Sequence, residues 1–204
     1  MKLYLTSVAS ITIDKLIPTL PKSPRELRLV FIPTAANPYQ NKWFVDEDRN
    51  KLKQLGFNLI EIDIAEKKQD DLKELMKNID IIFVSGGNTF YLLDKCIASG
   101  FDQLVKDFVS EGIIYIGSSA GSVIAGPDIE PIRFLEDQDY IPDLKFTQGF
   151  GLVNFVVLPH YGNPKYEAKY QDIIEKYKDK YELITVTDYQ AVLVEDSNYK
   201  IILA

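Results

Sequence analysis

Three short stretches hold residue types that could do covalent chemistry together. In Ile113–Ser122 an apolar run enters Gly117-Ser118-Ser119-Ala120-Gly121, the G-x-S-x-G pattern of a nucleophile elbow in its strand-to-helix context. A sharp turn there would present the Ser119 hydroxyl alone above a sheet. The small residues two before and two after it let neighbouring backbone approach. The Ala120 amide would lie at the start of the following helix, where N–H groups and the helix dipole stabilise a developing oxyanion. Ser118 and Ser122 flank the central position and read as packing or capping residues.

A second glycine turn, Ser85-Gly86-Gly87-Asn88-Thr89, follows another apolar run. It has no lysine and no third glycine, so it is neither a P-loop nor a dinucleotide fingerprint. Its unhindered amides suit a second oxyanion donor, from Gly86 or Gly87. Asn88 and Thr89 could cap the next helix or reach a ligand. The chain's one histidine, His160, follows the apolar run Val156-Val-Leu-Pro159. In a parallel sheet the far end of a strand is the ligand-binding edge, so His160 is the candidate base for Ser119. An imidazole base needs an orienting carboxylate. In the loop between the two, Asp137 is preferred, with Glu136 and Glu130 behind it. The acidic cluster Glu136–Asp139 reads as solvated rather than as a metal site, because no histidine is free to complete a ligand shell.

The counts bound the rest. With 204 residues and 46% apolar residues, one domain with a sizeable core is expected. A net charge of −7 and a pI near 4.8 argue against nucleic acid or anionic lipid as partners. No apolar run reaches about 20 residues, so no membrane span is expected. The opening MKLYLTSVAS has too short an apolar stretch for a signal peptide. One cysteine, Cys96, excludes an internal disulfide and reads as a buried small hydrophobe. One histidine excludes multi-histidine zinc sites. The expectation is a cytoplasmic protein without metal or organic cofactor, acting on a small substrate; monomer and homodimer both fit.

The elements that must position these residues alternate. Strands are expected at Lys2–Leu5, Arg28–Ile32, Phe57–Ile64, Ile79–Val84, Ile113–Ile116 and Val153–Leu158. Helices are expected at Phe44–Leu55, Asp71–Met76, Thr89–Ser99, Phe101–Val109 and Asn163–Tyr181. Residues 127–150 read as a long loop or a short antiparallel hairpin, and three strands close the chain at Leu183–Thr187, Ala191–Val194 and Lys200–Leu203. Such alternation implies an α/β fold with a mostly parallel sheet. The tyrosines of the last helix, at i, i+4 spacing, read as a core-facing stripe.

Together, Gly86-Gly87-Asn88-Thr89-Phe90, Gly117-Ser118-Ser119-Ala120-Gly121 and Leu158-Pro159-His160-Tyr161 resemble the dipeptidase E family of serine peptidases, peptidase family S51. The likeness covers nearly the whole chain. It implies a three-layer α/β/α, class I glutamine amidotransferase-like fold, with Ser119 as nucleophile, His160 as base and an acid from the intervening loop. It also implies hydrolysis of dipeptides or short peptides through an acyl-enzyme, with N-terminal aspartate as a candidate preference. An aspartate pocket should show a cation; of the four arginines, only Arg133 falls near the proposed site. A class I amidotransferase would need cysteine where Ser119 stands. An esterase of the α/β-hydrolase type is the better enzymatic alternative, although 41 residues from serine to histidine is short for that fold. A non-catalytic binding protein on the same scaffold is the third reading.

Overall fold

Alternation along the buried strands decides the layering. A computed structural model describes residues 1–204. In β1 (Lys2–Thr6), Leu3 and Leu5 enter one apolar core while Tyr4 enters another. The same split divides Val30 and Ile32 from Leu29 and Phe31 in β2 (Arg28–Ile32), and Ile82 and Val84 from Ile81 and Phe83 in β4 (Ile81–Val84). Period-two side chains on a doubly covered sheet produce this division. The result is a three-layer α/β/α sandwich.

The central sheet has seven strands in the order β3-β2-β4-β5-β1-β8-β9. The five from β3 (Asn58–Glu61) through β5 (Ile114–Ser118) to β1 run parallel. The hairpin of β8 (Gln190–Glu195) and β9 (Asn198–Leu203) is added antiparallel against β1. One core packs α3 (Gln69–Leu75), α4 (Thr89–Ser99), α5 (Phe101–Ser110), α6 (Ala120–Val123) and α7 (Glu167–Tyr177) on one face. The other face carries α1 (Ala9–Thr12) and α2 (Trp43–Leu55).

Helix ends follow local chemistry. Asn88 caps α4 by accepting the Tyr91 amide at 2.9 Å, and Gly100 closes it in a left-handed conformation at φ 72°. On α7, Tyr170, Ile173 and Tyr177 are buried, and Tyr166, Ile174 and Tyr181 pack against the same core. The tyrosine stripe is therefore a packing surface.

Several expected boundaries shift. The run Phe57–Ile64 pairs with β2 only over Asn58–Glu61, with one last bond from the Ile62 amide to the Phe31 carbonyl at 3.0 Å. The last helix is regular over Glu167–Tyr177 rather than Asn163–Tyr181; residues 163–166 form turns instead. Residues 127–150 are a loop with short 3-10 helices at Glu130–Leu135 and Gln138–Tyr140 and one isolated antiparallel bridge between Asp128 and Gln148. Strand β6 (Phe155–Pro159) does not extend the main sheet. It pairs in parallel with β7 (Glu182–Val186) as a separate two-stranded sheet. No helix is long and apolar enough to cross a membrane.

Register brings strand ends together. Thr6 lies opposite Ser118, and Val84 opposite Gly117, so β1, β4 and β5 all release their next residues at one edge. The elbow that follows β5 is packed to contact. A Cβ on Gly121 would fall 2.1 Å from the Val84 carbonyl oxygen, and one on Gly117 would fall 2.4 Å from that of Gly121. Both clashes are with backbone, which has nowhere to move. Gly121→Ala is therefore expected to cost about 3 kcal/mol or more, read as a loss of urea-unfolding stability; a change below about 1 kcal/mol would show that the elbow yields.

Candidate active site

Ser119 follows β5 with φ 48° and ψ −106°, a conformation that non-glycine residues rarely adopt. Its amide is held by the Thr6 carbonyl at 2.9 Å, while its own carbonyl accepts from Ser122 and Val123 and starts α6. The turn lifts the Ser119 hydroxyl into a cleft of about 820 Å³, a size suited to a small ligand. The flanking serines are engaged elsewhere. Ser122 is fully buried and donates to the carbonyls of Thr6 and Gly117, whereas Ser118 is bonded to the Ala9 amide and the Asp48 carboxyl.

His160 leaves the end of β6 at φ 61°, and its Nε2 lies 3.0 Å from Ser119 Oγ. On the other side of the ring, Nδ1 lies 2.7 Å from Asp188 Oδ1. Asp188 follows β7, whose Val186 is in register with Pro159 of β6, so the parallel pair delivers histidine and aspartate to the same edge. The hydrogen bond from His160, seconded by one from the Ser7 hydroxyl, holds the Asp188 carboxyl below the usual carboxylate range against the opposing effect of burial. An ionised carboxylate can only accept, which assigns the ring proton to Nδ1 and leaves the Nε2 lone pair facing the serine hydroxyl.

The expected orienting residue is thus corrected. Asp137 accepts the Asp139 amide at 3.2 Å in its own turn and does not meet the imidazole, and Glu130 is paired with Arg133 at 2.8 Å. Glu136 lines the cleft, gripped by Thr89 through its amide at 2.8 Å and its hydroxyl. Burial raises the Glu136 carboxyl to about 7 despite those bonds. The loop bearing these acids forms a wall, with Tyr140 edge-on to Tyr39 at 5.4 Å. Asp188 was not among the residues singled out from sequence, and neither was Ser7.

Gly86 and Gly87 line the cleft, and their amides make no hydrogen bond within the protein. A Cβ on Gly86 would stand 3.3 Å from that of Ser119. Gly87, at φ 144°, passes so close to Ala35 that a Cβ would fall 2.2 Å from its carbonyl. The Ala120 amide is the first of α6 and has no acceptor within that helix. Asn88 is fully buried, serves as the α4 cap and does not line the cleft. Arg133 is also turned away, stacked on Phe90 at 4.4 Å and paired with Glu130; the cations that line the cleft are Lys165 and Lys169.

Beneath the nucleophile lies a second buried carboxyl. Asp48 of α2 is 4% exposed, accepts the Ser10 amide at 2.8 Å and is bonded to Ser118. Burial outweighs those bonds and raises it from 3.8 to about 7. Because the folded value lies above the unfolded one, the unfolded chain releases this proton first as pH rises. Stability should therefore fall between about pH 4 and pH 7 and level off above, by an amount on the order of 4 kcal/mol. Asp48→Asn, which keeps an acceptor for Ser10, should remove that portion of the slope. Urea unfolding at pH 4.5 and pH 8 reads it as a wild-type decline larger than the variant's (roughly the figure above); parallel declines would contradict it.

Comparison with known proteins finds relatives over most of the chain. The model of Peptidase family S51 matches residues 6–202. An uncharacterized peptidase of Pasteurella multocida (strain Pm70) is 34% identical over 168 residues, covering 82% of this chain and 81% of its own. A peptidase E of Nostoc sp. is 30% identical over 183 residues, covering 86% of this chain and 72% of its own. Among solved structures, a candidate peptidase E protein from Listeria monocytogenes EGD-e superposes with a TM-score of 0.92 at 27% identity, over 100% of this chain and 98% of that one.

Proposed function

The chain belongs to peptidase family S51, and on that premise we propose that it is a serine-type peptidase that hydrolyses dipeptides or short peptides through an acyl-enzyme on Ser119. The observation that carries this reading is the continuous Ser119–His160–Asp188 relay, with 3.0 and 2.7 Å contacts, opening into a cleft. His160 Nε2 takes the Ser119 proton as Oγ attacks the peptide carbonyl, while Asp188 holds the ring and balances the imidazolium that forms. The tetrahedral oxyanion is held by the Ala120 amide and by that of Gly86 or Gly87, each such donor contributing on the order of 3 kcal/mol to the rate. The imidazolium then protonates the leaving amine. Water, activated by the same ring, releases the acyl group and regenerates the serine.

The cleft's walls favour short substrates. The 130–140 loop and its Tyr39–Tyr140 contact bound one side, and α7 with Lys165 and Lys169 bounds another. Lys169 already donates to the Phe134 carbonyl at 2.8 Å, so Lys165 is the cation left to meet an acidic side chain, and the preference for N-terminal aspartate rests on it.

The test offers purified protein a panel of dipeptides including Asp-X, together with casein and a simple aryl ester. Turnover of dipeptides without casein cleavage is expected, with Asp-X the fastest. Cleavage of the ester alone would favour the esterase reading, and equal cleavage of casein and dipeptides would overturn the restriction to short substrates.

A further inference from the structure

The nucleophile and its base stand on different sheets. Ser119 follows β5 of the seven-stranded sheet, whereas His160 and Asp188 follow β6 and β7 of the two-stranded one. A proton relay tolerates little relative drift, since a misplacement of about 1 Å can cost two orders of magnitude in rate. Something must fix one sheet's edge against the other's at this point.

The tip of β1 does so. The Thr6 carbonyl accepts the Ser119 amide at 2.9 Å, seating the elbow. The next residue, Ser7, is 1% exposed, and its Oγ accepts the His160 backbone amide at 2.8 Å. The same Oγ donates to Asp188 Oδ1 at 2.8 Å and lies 3.1 Å from His160 Nδ1. One hydroxyl thus meets the backbone of the base, its ring and its carboxylate partner. The backbone contact matters because His160 sits in the left-handed region, at φ 61°, which costs a side-chain-bearing residue about 1–2 kcal/mol unless its surroundings hold it.

We infer that Ser7 is a positioning residue, which locks His160 and Asp188 onto the main sheet so that Nε2 stays within reach of Ser119. The inference rests on the serine-peptidase reading given above. Ser7 acts through the base and touches no reacting atom.

The test uses Ser7→Ala and the isosteric pair Ser7→Thr and Ser7→Val, which share a shape and differ in the hydroxyl. With a dipeptide substrate, Ser7→Ala and Ser7→Val should lower kcat about 10- to 100-fold with KM within about 2-fold, and Ser7→Thr should recover most of the loss. A second readout needs no substrate. His160 is the only histidine, so its ring signals in NMR are assigned without ambiguity. The Nδ1 proton resonance should shift or broaden in Ser7→Ala and Ser7→Val and return in Ser7→Thr. Wild-type kcat and unchanged ring signals in Ser7→Ala, or Thr and Val variants impaired alike, would overturn the inference. Activity that survives Ser119→Ala would instead overturn the reading beneath it.

Discussion

Ser119→Ala should lower kcat for dipeptide hydrolysis by roughly 10⁴- to 10⁶-fold while leaving KM within a few-fold of wild type. The size follows from the role, because the hydroxyl oxygen forms the bond that carries the acyl group and no neighbour can substitute. Ser118 is held by Ala9 and Asp48, and the Ser122 hydroxyl points to the carbonyls of Thr6 and Gly117. The variant should also fold, since Ser119 is gripped through its backbone: its amide by Thr6 and its carbonyl by Ser122 and Val123. Ser122→Ala makes the contrast. It removes the one hydroxyl shared between the Thr6 and Gly117 carbonyls, of which Thr6 keeps the Ser119 amide, so it should lower stability by about 1–2 kcal/mol with little effect on kcat. Steady-state kinetics beside urea unfolding separates the two. A Ser119→Ala enzyme within about tenfold of wild type would mean the serine does not form the acyl bond.

Asp188→Asn should lower kcat by roughly 10²- to 10⁴-fold, and Asp137→Asn should leave it within about 2-fold. The amide of asparagine is isosteric but carries N–H donors, so it can hold the ring with the wrong nitrogen protonated. With the proton on Nε2 the imidazole cannot accept from Ser119. The carboxylate's charge is lost too, and with it the stabilisation of the imidazolium. Asp137 occupies an exposed turn, where its carboxylate accepts the Asp139 amide. Kinetics of both variants on one dipeptide decide between them. The reverse ranking would return the third role to the loop between serine and histidine.

The sequence carries the layers and most of the site because both depend on local pattern. The apolar runs of β2, β4 and β5 and the glycines of the elbow can be read residue by residue, and the structure gives each glycine a backbone neighbour that a Cβ would strike. Asp188 was missed for a different reason. The acid was sought between Ser119 and His160 in the chain, whereas parallel pairing of β6 with β7 is a relation in space. A usable signal was present: Asp188 directly follows the expected strand Leu183–Thr187, as His160 follows its own strand. An aspartate between two strands otherwise reads as an ordinary turn residue. Ser7 leaves no mark in the sequence at all, because a serine after an edge of apolar residues has no period or spacing that announces three long-range hydrogen bonds. The separation of β6 and β7 from the main sheet is likewise a matter of strand order, which apolar runs do not encode.

The most direct test of the central claim is the intact mass of the protein after treatment with a serine-directed phosphonate, followed by peptide mapping. One adduct per chain on Ser119 is expected, absent in Ser119→Ala and strongly slowed in Asp188→Asn. An unmodified Ser119 in a preparation that hydrolyses dipeptides, or an adduct on another serine that abolishes the activity, would contradict a nucleophilic Ser119.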